Sequence, residues 1–153
     1  MEADQIKQDD QNILVLTDFG SCARHAADHA ILLGEALNAN IVLFNSYFMP
    51  NSAYDNQSSE SHNVLIGKSK ANLEKEANRM RMLIESHQAK YKPMVTAFHN
   101  EGTLGDNAQS IAHEKTLLMV IMGGQSNNCL LAEEITHLID RVKLPIVIVP
   151  EPD

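Results

Sequence analysis

Five short aliphatic runs punctuate this chain: Ile13 to Thr17, Ile41 to Phe44, Met94 to Phe98, Leu117 to Met122 and Pro145 to Val149. None of them alternates polar with apolar residues. Strands of that kind are buried on both faces, and such strands belong to parallel sheets with helices packed on either side. The segments between the runs are long enough for crossover helices and carry helical periodicity. The pattern predicts an α/β domain with a doubly wound, Rossmann-like parallel sheet of five strands, since right-handed crossovers leave few other topologies.

The first helix is expected to start near Ser21, read as its N-cap, with Ala23, Ala27, Ala30, Gly34 and Leu37 as its inner stripe and Asn38 and Asn40 at its end. Small residues on that stripe let the helix lie close to the sheet. Tyr47 to Asn63 has loop composition, with Pro50, Asn51, Asp55, Asn56, Ser58, Ser59 and Ser61. A second helix over about Val64 to His87 presents Leu73, Ala77, Met80 and Ile84 on one face. Leu104 to Glu114 and Cys129 to Arg141 are the third and fourth helices. Met1 to Asn12 reads as a polar tail, leaving residues 13–153 as one domain, which suits 153 residues in all.

Composition removes several classes of function. Twenty acids against twelve bases give a net charge of -8, which disfavours a nucleic-acid groove or an anionic membrane surface. The densest basic stretch, Lys75 with Arg79 and Arg81, is interleaved with Glu74, Glu76 and Glu85 and reads as a solvated helix face. No apolar run is long enough to span a bilayer, and the polar start is not a secretory signal. Cys22 and Cys129 are expected as unpaired thiols in a reducing, cytoplasmic setting.

In doubly wound sheets ligands sit beyond the carboxyl ends of the strands, at the point where strand order reverses. Two glycine-bearing ends lead into helices there, Thr17-Asp18-Phe19-Gly20-Ser21 and Gly123-Gly124-Gln125-Ser126. Thr17, Asp18, Phe19, Met122, Gly123 and Gly124 are therefore the candidate cleft. With its first run and alanine-rich helix, with Val120-Ile121-Met122-Gly123, and with Pro145-Ile146-Val147-Ile148-Val149, the chain resembles the universal stress protein family over about the whole domain. The resemblance implies strand order 3-2-1-4-5, a cytoplasmic stress-response protein without general catalytic turnover, and a homodimer through the last strand, Ile146 to Val149. It implies ATP or a related nucleotide such as AMP for some members only. Asp18 matches the family's first-loop aspartate, near the adenosine end of the pocket in binding members; its other reading is a turn or cap residue.

Nucleotide-binding members follow the fourth strand with Gly, two residues, Gly, nine residues, Gly, and Ser or Thr. Glycines let the backbone approach phosphate, and the hydroxyl and amides at a helix N-terminus hold it. This chain keeps Gly123 but has Ser126 at the second glycine. Counting back from Pro145, Ala132 and Glu133 fall at the third glycine and the hydroxyl, and the segment is about four residues short. Glu133 and Glu134 are either helix-favouring surface acids or a charge set against phosphate. In the second case one such contact, about 4 Å away at an effective dielectric near 20, costs on the order of 4 kcal/mol, roughly a thousandfold in affinity. The expectation is no cofactor, with an adenine nucleotide in the cleft as the alternative.

His25 and His29 have the spacing of a two-histidine metal site, but no further ligand accompanies them, so no metal is expected. No serine–histidine–acid or paired-carboxylate spacing points to catalysis. An aliphatic last strand without an internal charge would be a sticky sheet edge unless covered, which agrees with the dimer that the resemblance implies.

Overall fold

The computed structural model describes residues 11–47, 59–101, 104–124 and 140–150. In chain order these form β1 (Gln11–Leu16), α1 (Ser21–Leu37), β2 (Asn40–Tyr47), α2 (Ser59–Ser86), β3 (Val95–Glu101), α3 (Leu104–Glu114), β4 (Thr116–Gly123) and β5 (Ile146–Val149). All strand pairs are parallel, and the order is β3-β2-β1-β4-β5. The doubly wound α/β sheet with order 3-2-1-4-5 is thus the observed fold.

Side chains alternate across each strand, so the aliphatic runs feed two cores. Ile13, Val15, Ile41, Leu43, Val95, Ile121 and Val149 pack with Ala26, Ala27, Ala30 and Ile31 of α1 and with Leu73, Ala77, Met80 and Ile84 of α2. Leu14, Leu16, Val42, Phe44, Val120 and Met122 meet Ala108 and Ile111 of α3 on the other face, where Val142 and Leu144 also pack. Full burial of each large aliphatic side chain contributes about 1.5–3 kcal/mol, so these two layers dominate the stability.

Several sequence expectations need correction at the element ends. Gly20, in an extended conformation and without a side-chain cap, occupies the N-cap of α1, and Ser21 is the first helical residue. The inner stripe ends at Gly34, because Leu37 is 44% exposed. Asn38 does end the helix, in the left-handed region, and Ala39 N–H donates back to the Gly34 carbonyl at 3.0 Å. Tyr47 belongs to β2, and residues 59–63 are already helical, so the predicted loop shrinks from both ends. Polar residues at a helix start carry no apolar period to read. What remains of the loop, 48–58, lies outside the described residues, as does most of the predicted fourth helix, of which 140 and 141 are seen as helix that continues through 142.

β2 and β3 both run past their aliphatic stretches. Asn45, Ser46 and Tyr47 pair in register with His99, Asn100 and Glu101. On the face toward α1 and α2, the apolar layer of Val15, Leu43 and Ala97 therefore gives way, one step further along, to Thr17, Asn45 and His99. That polar layer forms the head of the sheet beneath the site.

Candidate functional site

The loop after β1 is held by its own side chains. Thr17 N–H donates to the Phe44 carbonyl at 3.0 Å, which ties the loop to β2. Thr17 Oγ1 accepts from Phe19 N–H at 3.0 Å, and Asp18 Oδ1 accepts from Gly20 N–H at 2.9 Å. These two turns hold Phe19 at φ 68°, a left-handed conformation that costs a non-glycine residue on the order of 1 kcal/mol. Asn45, itself buried, donates from Nδ2 to the Thr17 carbonyl at 2.8 Å. Its Oδ1 has no hydrogen-bond partner among the described residues.

The end of β4 closes onto the same loop's helix. A Cβ on Gly123 would lie 2.6 Å from the carbonyl carbon and oxygen of Cys22 and 2.9 Å from the Ala23 nitrogen. The strand end and the first turn of α1 are in backbone contact, and a glycine is what permits it. Gly124 N–H donates to the Val149 carbonyl at 2.9 Å and its Cα abuts Ile148, so this residue serves the β4–β5 seam.

The six candidate cleft residues are accordingly split. Thr17 and Phe19 border open space, while Asp18 sits exposed with its carboxylate turned back on its own loop. Met122 is buried in the α3-side core. Gly123 joins the first loop through α1, and Gly124 faces β5. Ser126, Cys129, Ala132, Glu133 and Glu134 lie outside the described residues. Cys22 is a buried free thiol. His25 and His29 stack edge-to-face with centroids 4.7 Å apart, and no cluster of three metal-ligating side chains occurs among the described residues.

The open space itself lies between α1 and α2. It is a cleft of about 560 Å³ lined by Thr17, Phe19, Gly20 and Arg24 on one side and by Asn72, Lys75, Glu76 and Arg79 on the other. Glu76 is only 8% exposed. Its two oxygens accept from Arg79 Nε at 2.9 Å and Nη2 at 2.7 Å, and Arg79 Nη1 reaches Asp28 Oδ1 at 3.0 Å. Bidentate geometry of this kind offsets the cost of burying the carboxylate. The hydrogen bond to Glu76, then the nearby charges of Glu76 and Asp28, hold the Arg79 pKa above its ordinary value against the opposing effect of burial. At the sheet head, burial first and the Lys70 charge second lower the His99 pKa.

The sequence pattern puts Lys75, Glu76 and Arg79 on a solvated face and singles out neither Arg24 nor Asn72. The available signal was position: 72, 75, 76 and 79 flank the buried stripe of Leu73, Ala77 and Met80, and Glu76–Arg79 is an i,i+3 ion pair.

The model of the universal stress protein family matches residues 11–150. No curated protein matches the sequence. Among solved structures, universal stress protein UspA from Lactobacillus plantarum is similar at TM-score 0.69 and 14% identity, over 91% of this chain and 97% of that one. A universal stress protein in complex with cAMP is similar at TM-score 0.62 and 17% identity, over 93% and 98% of the two chains. One from Archaeoglobus fulgidus in complex with dAMP gives TM-score 0.61 and 13% identity, over 91% and 97%. At these identities the likeness is one of fold.

Proposed function

We propose that this chain, which belongs to the universal stress protein family, is a non-catalytic cytoplasmic stress-response module that acts as a homodimer and does not use ATP. The observation that carries the reading is the contact of Gly123 with the backbone of Cys22 and Ala23. A glycine that would let phosphate approach is here occupied by the chain itself. The Asp18 carboxylate and the Thr17 hydroxyl oxygen are likewise engaged by amides of their own loop. Titration calorimetry with ATP and magnesium should give binding no tighter than about millimolar. A micromolar dissociation constant overturns the reading.

The dimer would form on β5, which ends the sheet. The carbonyls of Pro145 and Val149 accept from β4, so by strand alternation Val147 also faces β4, while the amides of Ile146 and Ile148 face outward. Ile148 is 48% exposed, an apolar side chain on an open edge. Antiparallel pairing of two such edges about a two-fold axis would satisfy those amides and cover Ile148. Light scattering should report a dimer that Ile148→Lys weakens; a wild-type monomer at micromolar concentration overturns this part.

An adenine-nucleotide sensor is the second reading, favoured by the cAMP and dAMP held by two proteins of similar fold. Thr17, Asp18, Phe19, Met122, Gly123 and Gly124 would then carry the site, and the same calorimetry decides between the two.

A further inference from the structure

The charges around the cleft between α1 and α2 are unequally committed. Glu76 is matched by Arg79 on both oxygens, and the remaining arm of Arg79 is matched by Asp28. That group of three holds its own charge in place and presents no free carboxylate to the cleft. Arg24, from the opposite wall, comes no closer to Glu76 than 4.0 Å, and its side chain is 59% exposed. None of its guanidinium N–H groups finds a hydrogen-bond acceptor among the described residues, and Lys75 has no ion pair there. One loosely paired cation, Arg24, and one without an ion pair among the described residues, Lys75, thus line opposite walls of a cleft of about 560 Å³, in a chain whose net charge is -8. That volume is typical of small-molecule sites, and such a local reversal of sign concentrates anions.

Neutral donors add direction to the charge. The Asn72 amide lies on the α2 wall, and Thr17, whose Oγ1 already accepts from Phe19 N–H, keeps its O–H to donate. Donors therefore approach from α1, from α2 and from the head of β1. A carboxylate offers its acceptors in one plane, whereas a phosphate group offers them around a tetrahedron and matches three directions of approach. Phe19 supplies an apolar wall for the part of a ligand that bears no charge.

We propose that the cleft between α1 and α2 binds the phosphate group of a small phosphorylated metabolite, bridged between Arg24 and Lys75 and directed by Asn72 and Thr17. This site draws on α2 and shares only Thr17 and Phe19 with the candidate crevice between the ends of β1 and β4. It stands whether or not ATP binds there. The test is a nuclear magnetic resonance titration of the full chain with inorganic phosphate, glycerol 3-phosphate and acetate at constant ionic strength. Both phosphates should give saturable shifts at the amides of Phe19, Gly20 and Asn72, with dissociation constants on the order of millimolar. Arg24→Gln and Lys75→Gln, each at an exposed side chain, should weaken both about tenfold, the loss of one charge-assisted contact. Lys90→Gln, outside the cleft, should change nothing. Shifts that never saturate, acetate binding as tightly as phosphate, or equal loss in the Lys90 variant would each overturn the proposal.

Discussion

Replacing Gly123 with alanine tests whether the end of β4 and the first turn of α1 really depend on a missing methyl. The added Cβ would meet two Cys22 backbone atoms at 2.6 Å, where ordinary contact begins at 3.4 Å, so something must move by about 0.8 Å. The atoms in the way are backbone at a helix start, locked by the hydrogen bond from Arg24 N–H to the Gly20 carbonyl at 3.0 Å, and cannot rotate aside. Overpacking of this kind costs about 1–3 kcal/mol, and a backbone clash lies at the upper end. Restricting the unfolded chain returns about 0.4–1 kcal/mol, leaving a net loss of about 2 kcal/mol. For a chain of this length that is a fall in Tm of about 4–8 °C. Gly67→Ala is the matched control: it lies within α2 with nothing inside 4 Å of the new methyl, so Tm should rise by about 2–4 °C. Circular dichroism melts of the two variants and the wild type suffice. A Gly123→Ala protein melting within about 1 °C of wild type refutes the close-contact argument.

Arg79→Met keeps the aliphatic stem but leaves the buried Glu76 carboxylate unmatched. The expected loss at neutral pH, by urea denaturation, is about 2 kcal/mol, below that of a fully buried pair because Arg79 is partly exposed; an unchanged midpoint would mean that the bridge between α1 and α2 contributes nothing. His99 has a lowered pKa in the folded chain, so folding favours its neutral form. Its contribution is complete above the ordinary histidine value of 6.5 and is lost as pH falls through the lower folded value. Urea midpoints measured from pH 7.5 downward should thus fall more steeply for wild type than for His99→Gln, and parallel curves would contradict the assignment.

The strands were legible in the sequence because burial on both faces leaves an unbroken aliphatic signature, as in Ile13–Leu16 and Leu117–Met122. The polar extensions Asn45–Tyr47 and His99–Glu101 were not, since each is held as strand by the other and neither carries a local signal. Gly123 reads in one dimension as a phosphate-loop glycine; only the fold brings Cys22, a hundred positions away, against its Cα. The cleft was hidden for a similar reason. Arg24 and Arg79 sit on different helices, and a charged residue whose partner is distant in sequence looks the same as one facing water. Helix ends such as Gly20 were misplaced by one residue because a glycine cap makes no side-chain hydrogen bond for a reader to anticipate.

The central place of β1 also has a kinetic side. Asn12 meets β2 through Asn40 but reaches Thr116 of β4 across 104 positions. Closing the longer loop costs about 1 kcal/mol more in chain entropy than closing the shorter one. The unit β1–α1–β2–α2–β3 can assemble from neighbouring segments, with both of its helices on a single face. The seam between β1 and β4 must wait for chain from the far end to arrive, and the order in which contacts form is set by strand position before any side chain at that seam has touched its partner.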